Sequence, residues 1–142
     1  MADIDIGAVI RQYLEATPQL SVLDGKVFPD AAAQNVSPPF ATYSITSDEH
    51  AHTLTGLGGL TQTNVQVEVI ANKRKDSGEL ARDVMRALVG LRGTVSGIWI
   101  DSTYVIDGPR SYELQPVGGQ EVYRYVSTVT FGVFFVESTA LT

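Results

Sequence analysis

The sequence predicts an α+β fold: a mainly antiparallel β-sheet with a long β-hairpin and two helices packed on one face. Two segments have helical periodicity, and several others alternate apolar and polar residues with the period of a strand. The predicted order α-β-β-α-β-β-β groups strands in runs, which is typical of antiparallel sheets. A length of 142 residues fits one domain over residues 1–142. We expect residues 136–142 to be a flexible tail or an arm that orders on assembly.

The first helix is predicted over residues 4–16. Its apolar side chains recur with the spacing of one helical face: Ile6, Val9, Ile10, Tyr13 and Leu14. Asp3 or Asp5 can cap its first turn, and Pro18 ends it. A short extended piece follows at residues 26–28. Residues 29–39 then form a connector, because the prolines at its end favour extended backbone.

A long hairpin is predicted next, with strands at residues 40–54 and 60–71 joined by a glycine-rich turn at residues 56–59. On the first strand, one face carries Ala41, Tyr43 and Ile45. The second strand alternates sharply between the apolar side (Thr63, Val65, Val67, Val69) and the polar side (Gln62, Asn64, Gln66, Glu68). Such alternation predicts an antiparallel strand with one buried face.

The second helix follows the hairpin. Asp76 and Glu79 fit a capping-box variant at its start, and Gly90 or Gly93 ends it. Its buried face is predicted to hold Leu80, Ala81, Val84, Met85 and Leu88. Three extended segments complete the fold: residues 97–101, residues 104–114 with a break at 107–109, and residues 122–136, with Gly118 and Gly119 in the last turn.

The composition excludes several classes of chemistry. The absence of cysteine removes disulfide scaffolds, thiolate metal sites and cysteine nucleophiles. The net charge of −6 comes from residues 1–71, which hold eight acids against Arg11 and Lys26. An acidic chain without a basic stripe is a poor candidate for binding nucleic acid. No apolar run approaches the ~20 residues of a membrane span. The charged fraction of 18% is low against about a quarter in ordinary domains.

The residues present few candidates for catalysis. Asp48, His50 and His52 alternate along the first hairpin strand, and two histidines with a carboxylate are a legitimate zinc or iron ligand set. However, same-face neighbours on a strand lie ~7 Å apart, and metal sites usually gather ligands from separate elements. No serine lies in a nucleophile elbow. We therefore predict no enzymatic activity, no cofactor and no metal.

The order of the hairpin, the second helix and the last strand resembles the tail-completion, or tail-terminator, family of long-tailed bacteriophages and phage-like particles such as gene transfer agents. The likeness covers residues 5–136 and depends on order and spacing rather than on one motif. The residues that carry it are Val27, Phe28, Pro29, Pro38, Pro39, Phe40, Tyr43, residues 54–60, residues 65–69, Ala71, Ala81, Val84, Leu88, residues 122–124 and residues 130–133. Residues 101–120 do not match the family pattern.

The resemblance implies a structural virion protein that forms a ring, usually a hexamer, at the head-proximal end of the tail tube. Such a ring ends tube polymerisation and joins the tail to the head, with DNA passing through its lumen. Its partners would be other copies of itself, the tail tube protein and the head-tail connector or neck protein, with no membrane involved. The protein would be assembled in the host cytoplasm.

We expect the hairpin, residues 47–62, to be the main assembly contact, because a long hairpin can reach an adjacent subunit. The contact residues are predicted to be Asp48, His50, His52, Leu54, Leu57 and Leu60. Some acids of residues 1–71 would face the channel and repel DNA. Three alternatives stay open: a head-completion or neck adaptor ring, a small metal-dependent enzyme built on the Asp48 cluster, and a free adaptor that binds peptides along a sheet edge.

Overall fold

The computed structural model describes five stretches of the chain: residues 6–29, 38–50, 60–95, 98–114 and 124–136. Within these stretches two α-helices, one 3-10 helix and six strands are present. Their order is α1 (Ile6–Glu15), the 3-10 helix (Pro18–Leu23), β1 (Val27–Pro29), β2 (Phe40–His50), β3 (Leu60–Ala71), α2 (Arg74–Val89), β4 (Gly93–Val95), β5 (Ile98–Leu114) and β6 (Arg124–Val136). The predicted α+β fold is confirmed.

The strands form one six-stranded sheet in the order β1-β2-β3-β6-β5-β4. Its neighbours are antiparallel except β1 and β2, which run parallel with Val27 beside Ala41. The two strands of the predicted hairpin pair from Phe40, opposite Ile70, to His50, opposite Thr61. β3 and β6 occupy the centre and pair along their whole length.

Both helices pack on one face of this sheet, as predicted. The alternation in β3 has the expected result, because Val65, Val67 and Val69 are fully buried under the helices. The core joins both helices to this sheet face: Ile10, Leu14, Ala41, Tyr43, Val84, Leu88, Phe131 and Val133. In the described ranges, neither helix has the length and apolarity that crossing a membrane requires.

The ends of the helices differ in part from the prediction. α2 begins at Arg74, and its N-cap Lys73 makes no side-chain capping hydrogen bond, so the capping box of Asp76 and Glu79 is wrong. Asp76 lies inside the first turn, where its charge is favourable to the positive end of the helix dipole. Gly90 is the C-cap, as predicted. Beyond α1, Pro18 opens a 3-10 helix over Pro18–Leu23, which was not predicted.

The strands after α2 also differ from the prediction. The two segments expected at residues 97–101 and 104–114 are parts of one strand, β5, while β4 was not predicted. β5 stays continuous because bulges absorb its irregular residues, with register shifts between Val105 and Asp107 and between Asp107 and Arg110. Gly108 has a φ of +99°, and a Cβ there would overlap the carbonyl of Thr128. Only glycine fits this bulge without strain.

Ile45 of β2 keeps its predicted face, since it pairs opposite the buried Val65, but it is less covered than its neighbours. Ile45 is 40% exposed, whereas Ala41 and Tyr43 on the same strand are buried. A register shift between Ile45 and Ser47 ends the regular alternation at this point. The predicted turns at residues 56–59 and 118–119 lie outside the described residues, as do residues 137–142.

Candidate assembly surfaces

The sheet has an open face, opposite the helices, that no described helix or strand covers. The side chains of this open face are mostly amides, hydroxyls and aromatic rings: Ser44, Gln62, Asn64, Gln66, Glu68, Trp99, Tyr104, Tyr112, Thr128, Thr130 and Phe134. They are the polar half of the alternation whose apolar half forms the core. At one end, Phe40, Ile70 and Val126 form a small second cluster with Phe28. The open face is therefore a broad surface with few charges.

Two tyrosines of β5 lie across β6 on the open face. Tyr104 stacks on Phe134, with ring centroids 5.9 Å apart and an interplanar angle of 27°. Its ring also covers Gly132, where a Cβ would overlap the phenol. Gln62 of β3 places its Nε2 3.5 Å from the Tyr104 hydroxyl and donates a 2.6 Å hydrogen bond to Asn64 Oδ1. Tyr104 thus links three neighbouring strands and remains 40% exposed.

Tyr112 spans the same three strands further along the sheet. Its hydroxyl donates a 3.1 Å hydrogen bond to Glu68 Oε2 on β3. Burial raises the pKa of the Tyr112 phenol, and the neighbouring Glu68 carboxylate raises this pKa further, because both disfavour a phenolate. The Tyr112 ring is still 44% exposed. With Trp99, which is 42% exposed, it completes a row of aromatic side chains along β5.

This combination of groups suits contact with protein. Tyrosine and tryptophan supply large apolar areas with a polar end, and they are enriched at protein interfaces, where charged side chains are depleted. On the open face, Glu68 is already bonded to Tyr112, and Asp107 and Arg110 form an ion pair at 3.1 Å near its edge.

Three serines connect α2 to the sheet on the buried side. The Ser127 hydroxyl lies 3.0 Å from the Ser77 hydroxyl of α2 and 2.6 Å from the Ser111 hydroxyl of β5. Ser77 also donates to the carbonyl of Arg74 at 3.0 Å. Ser77 and Ser127 are fully buried. These bonds satisfy the hydroxyls and fix α2 over the sheet; none of them involves a base that would activate a nucleophile.

On the helix side, the ends of α1 and α2 enclose a shallow groove of about 570 Å³. Tyr13, Thr17 and Arg86 line it, and Arg86 forms a 3.4 Å ion pair with Asp83. In the part of the chain that the structure describes, every buried side-chain polar atom has a partner, and no group of three potential metal ligands occurs. Among these residues nothing therefore marks the groove as a catalytic or metal site.

The structure places part of the predicted contact set. Asp48 and His50 lie on β2, opposite Thr63 and Thr61 of β3, and Leu60 starts β3 opposite Val136 of β6. His52, Leu54 and Leu57 lie outside the described residues. His52 is also a member of the predicted metal cluster, so the structure describes only two of the three residues of that cluster. The end of β2 at His50 and the start of β3 at Leu60 therefore lie at the end of the sheet where Trp99 and Val136 pair.

The aromatic row was missed by the sequence analysis. Tyr104 and Tyr112 are eight positions apart, but the predicted break at residues 107–109 assigned them to separate pieces of chain. In the structure, both sit on positions that face away from the helices, opposite Gly132 and Val126. Their even separation places both on one face by period-2 counting, and the two bulges between them add one residue each and so keep that parity. Trp99, five positions before Tyr104, reaches the same face only because of the register shift between Ile100 and Ser102.

Comparison with known proteins first defines the class. A chain in a solved structure titled "Virion of native gene transfer agent (GTA) particle" has the same fold, with a TM-score of 0.59, 19% identity and coverage of 92% of this chain and 94% of that one. No curated protein sequence matches. The family model described as "Tail completion protein gp17" matches residues 8–130. The chain belongs to this family and is a structural protein of phage tails, which confirms the resemblance seen in the sequence.

Proposed function

We propose that this protein forms a ring at the head-proximal end of a phage tail tube, where it ends tube polymerisation and joins the tail to the head. The observation that carries the proposal is membership of the tail completion family over residues 8–130. The fold shared with a chain of a gene transfer agent virion supports it. The described surfaces agree with a structural role, since they offer aromatic and polar faces and no activated nucleophile.

The hairpin is proposed as the contact that docks the ring on its partners. Its strands β2 and β3 pair as far as His50 and Thr61, so β2 ends and β3 begins at the same end of the sheet. The proposed contact residues are Asp48, His50, His52, Leu54, Leu57 and Leu60. Leucines near the connection supply apolar area, and the polar residues beside them fix orientation.

The channel is proposed to be lined by acidic and neutral groups. Residues 1–71 carry the whole net charge of −6, and repulsion between these acids and DNA phosphates would let DNA slide instead of bind. Assembly takes place in the host cytoplasm, and the finished protein lies in the virion.

A shortened hairpin tests the proposal in the particle-producing host. Residues 56–59 are replaced by a two-residue Asn-Gly turn, which keeps a tight hairpin connection. The monomer is expected to stay folded by circular dichroism, while electron micrographs of the particles should show tails without heads or with abnormal lengths. The control is Val22→Ser, on the helix side, where Val22 is 55% exposed. Normal, head-bearing tails in the shortened variant would refute the hairpin contact, and normal tails after deletion of the whole gene would refute the function.

A further inference from the structure

The two outer edges of the sheet are each covered over only three residues. β1 pairs with β2 at Ala41, Thr42 and Tyr43, and β4 pairs with β5 at Ile98, Trp99 and Ile100. Among the described strands, nothing pairs with the outer edge of β2 at residues 44–50 or with that of β5 at residues 101–114. Unpaired strand edges are templates for the addition of another strand.

These open edges lie at opposite ends of the sheet. The registers align Phe40 with Ile70, Val126 and Tyr112, so β1 covers β2 near this end. β4 covers β5 at the other end, beside Val136. The open part of β2 and the open part of β5 are therefore diagonal to each other across the sheet.

The open edge of β5 is itself divided in two. Its middle is a poor template, because bulges interrupt it around Asp107 and Pro109 has no backbone N–H to donate. Residues 110–114 follow with unbroken pairing to β6, and the side chains of residues 110–113 are exposed. On β2, pairing is likewise unbroken over residues 47–50. Each edge thus has one short regular segment free for a partner.

We propose that a second copy of this chain adds the β2 edge, residues 44–50, to residues 110–114 of β5. β2 and β5 run in opposite directions in the sheet, so the new pair is antiparallel and both copies keep their helices on the same side. The inference rests on the proposed ring and specifies how its subunits join. Since the two edges differ, each copy uses both, and the contact propagates head to tail, as a closed ring requires.

The coverage by β1 sets how far the copies are offset. Tyr43, the last residue that β1 covers, aligns with Val129 of β6, whereas β5 ends at Leu114, opposite Arg124. β1 of the neighbour clears the end of β5 only when the neighbour slides by about six residues, or roughly 20 Å along the strands. An even shift is needed to keep opposed side chains on the same face. A constant offset of this kind tilts the strands of a closed ring relative to its axis.

This register also opposes charges of different sign. After the offset, Glu49 of the neighbouring copy lies opposite Arg110 of the first copy, and Asp48 of the neighbouring copy lies opposite Ser111. Arg110 is 76% exposed in the monomer, where its described ion-pair partner is the half-exposed Asp107. An opposite-charge cross-strand pair stabilises this register, and like charges at the same positions would oppose it.

Cysteine cross-linking tests the register directly, because the natural chain contains no cysteine. Glu49→Cys and Arg110→Cys proteins are purified separately, mixed, and oxidised or treated with a short bis-maleimide. The mixture is expected to give a linked dimer. A chain that carries both substitutions is expected to give a ladder of linked copies. The control pair is Glu49→Cys with Thr94→Cys on β4, which the offset keeps apart and which should remain unlinked. A second readout is charge reversal: Arg110→Glu should weaken self-association about fivefold, and Glu49→Arg should restore it in the same chain.

The outcomes separate this inference from the proposed function. Oligomers in light scattering, or rings in purified particles, without the Glu49–Arg110 link overturn the strand-addition contact and leave the ring intact. Equal linking of the Thr94 control overturns the offset. Protein that neither self-associates nor links in purified particles overturns both the contact and the ring.

Discussion

Replacing Gly132 by alanine is expected to have opposite effects on stability depending on whether Tyr104 is present. Gly132 lies on β6 directly beneath the phenol ring of Tyr104, and a Cβ there would come 2.8 Å from Cε1 of that ring and closer still to its outer atoms. Gly132→Ala therefore forces the Tyr104 ring away from the sheet. In a Tyr104→Ala background, the ring atoms that the methyl group would overlap are removed.

The magnitude follows from the contacts that Tyr104 makes. Displacing the ring loses its stacking on Phe134, worth about 1 kcal/mol, and re-exposes apolar area worth about 1 kcal/mol more at ~25 cal/mol per Å². Alanine in place of glycine within a strand stabilises the folded protein by roughly 0.5–1 kcal/mol, because it reduces the entropy of the unfolded chain. Gly132→Ala should thus destabilise the natural protein by about 1 kcal/mol and stabilise the Tyr104→Ala protein by about 0.5–1 kcal/mol.

Urea unfolding of the four proteins in this double-mutant cycle measures both effects. The predicted coupling free energy is about 2 kcal/mol, well above the ~0.5 kcal/mol expected for sites that do not interact. If Gly132→Ala has the same effect in both backgrounds, Tyr104 does not cover Gly132 in solution and the packing of the open face is different.

Two further predictions concern hydroxyl groups. Ser127→Val should lower the free energy of unfolding by about 1–3 kcal/mol, because it leaves the buried Ser77 hydroxyl with fewer partners. The control, Thr130→Val on the open face, should change this free energy by less than about 0.5 kcal/mol. Equal effects of the two substitutions in urea unfolding would contradict the buried network. Tyr112→Phe should reduce the decrease in the free energy of unfolding at alkaline pH. Because the pKa of Tyr112 is raised in the folded protein, its stabilising contribution is present below the ordinary tyrosine pKa of 10.0 and is lost as the pH rises through the folded-state pKa. An unchanged unfolding profile above pH 10.0 in Tyr112→Phe would contradict this.

The elements with regular periodicity were predictable from the sequence. β3 alternates without interruption because Val65, Val67 and Val69 all face the helices, and α2 shows its buried face through Leu80, Val84 and Leu88. In both cases a single tertiary contact surface determines every residue of the pattern, so the pattern alone identifies the element.

β5 and the aromatic row were not predictable in the same way. Asp107, Gly108 and Pro109 have the chemistry of a turn, and only pairing with β6 over the whole strand keeps them in a bulge. Tyr104 and Tyr112 share a parity in the sequence, but a turn at residues 107–109 would have broken the strand between them, and Trp99 joins their face only through the bulge between Ile100 and Ser102. The start of α2 was misplaced for a related reason, since Lys73 adopts the N-cap backbone conformation without the side-chain bond that a capping motif signals.

The side chains of Tyr104 and Tyr112 are ordered before any partner binds, and this affects the entropy of binding. A free tyrosine side chain that becomes fixed in an interface loses about 0.5–1.5 kcal/mol of rotamer freedom. Tyr104 and Tyr112 are already held against β6 by contacts with Phe134, Gln62 and Glu68 within the monomer. A protein that covers these rings therefore meets side chains that are already ordered, so less of the free energy gained by burying them is offset by lost side-chain entropy.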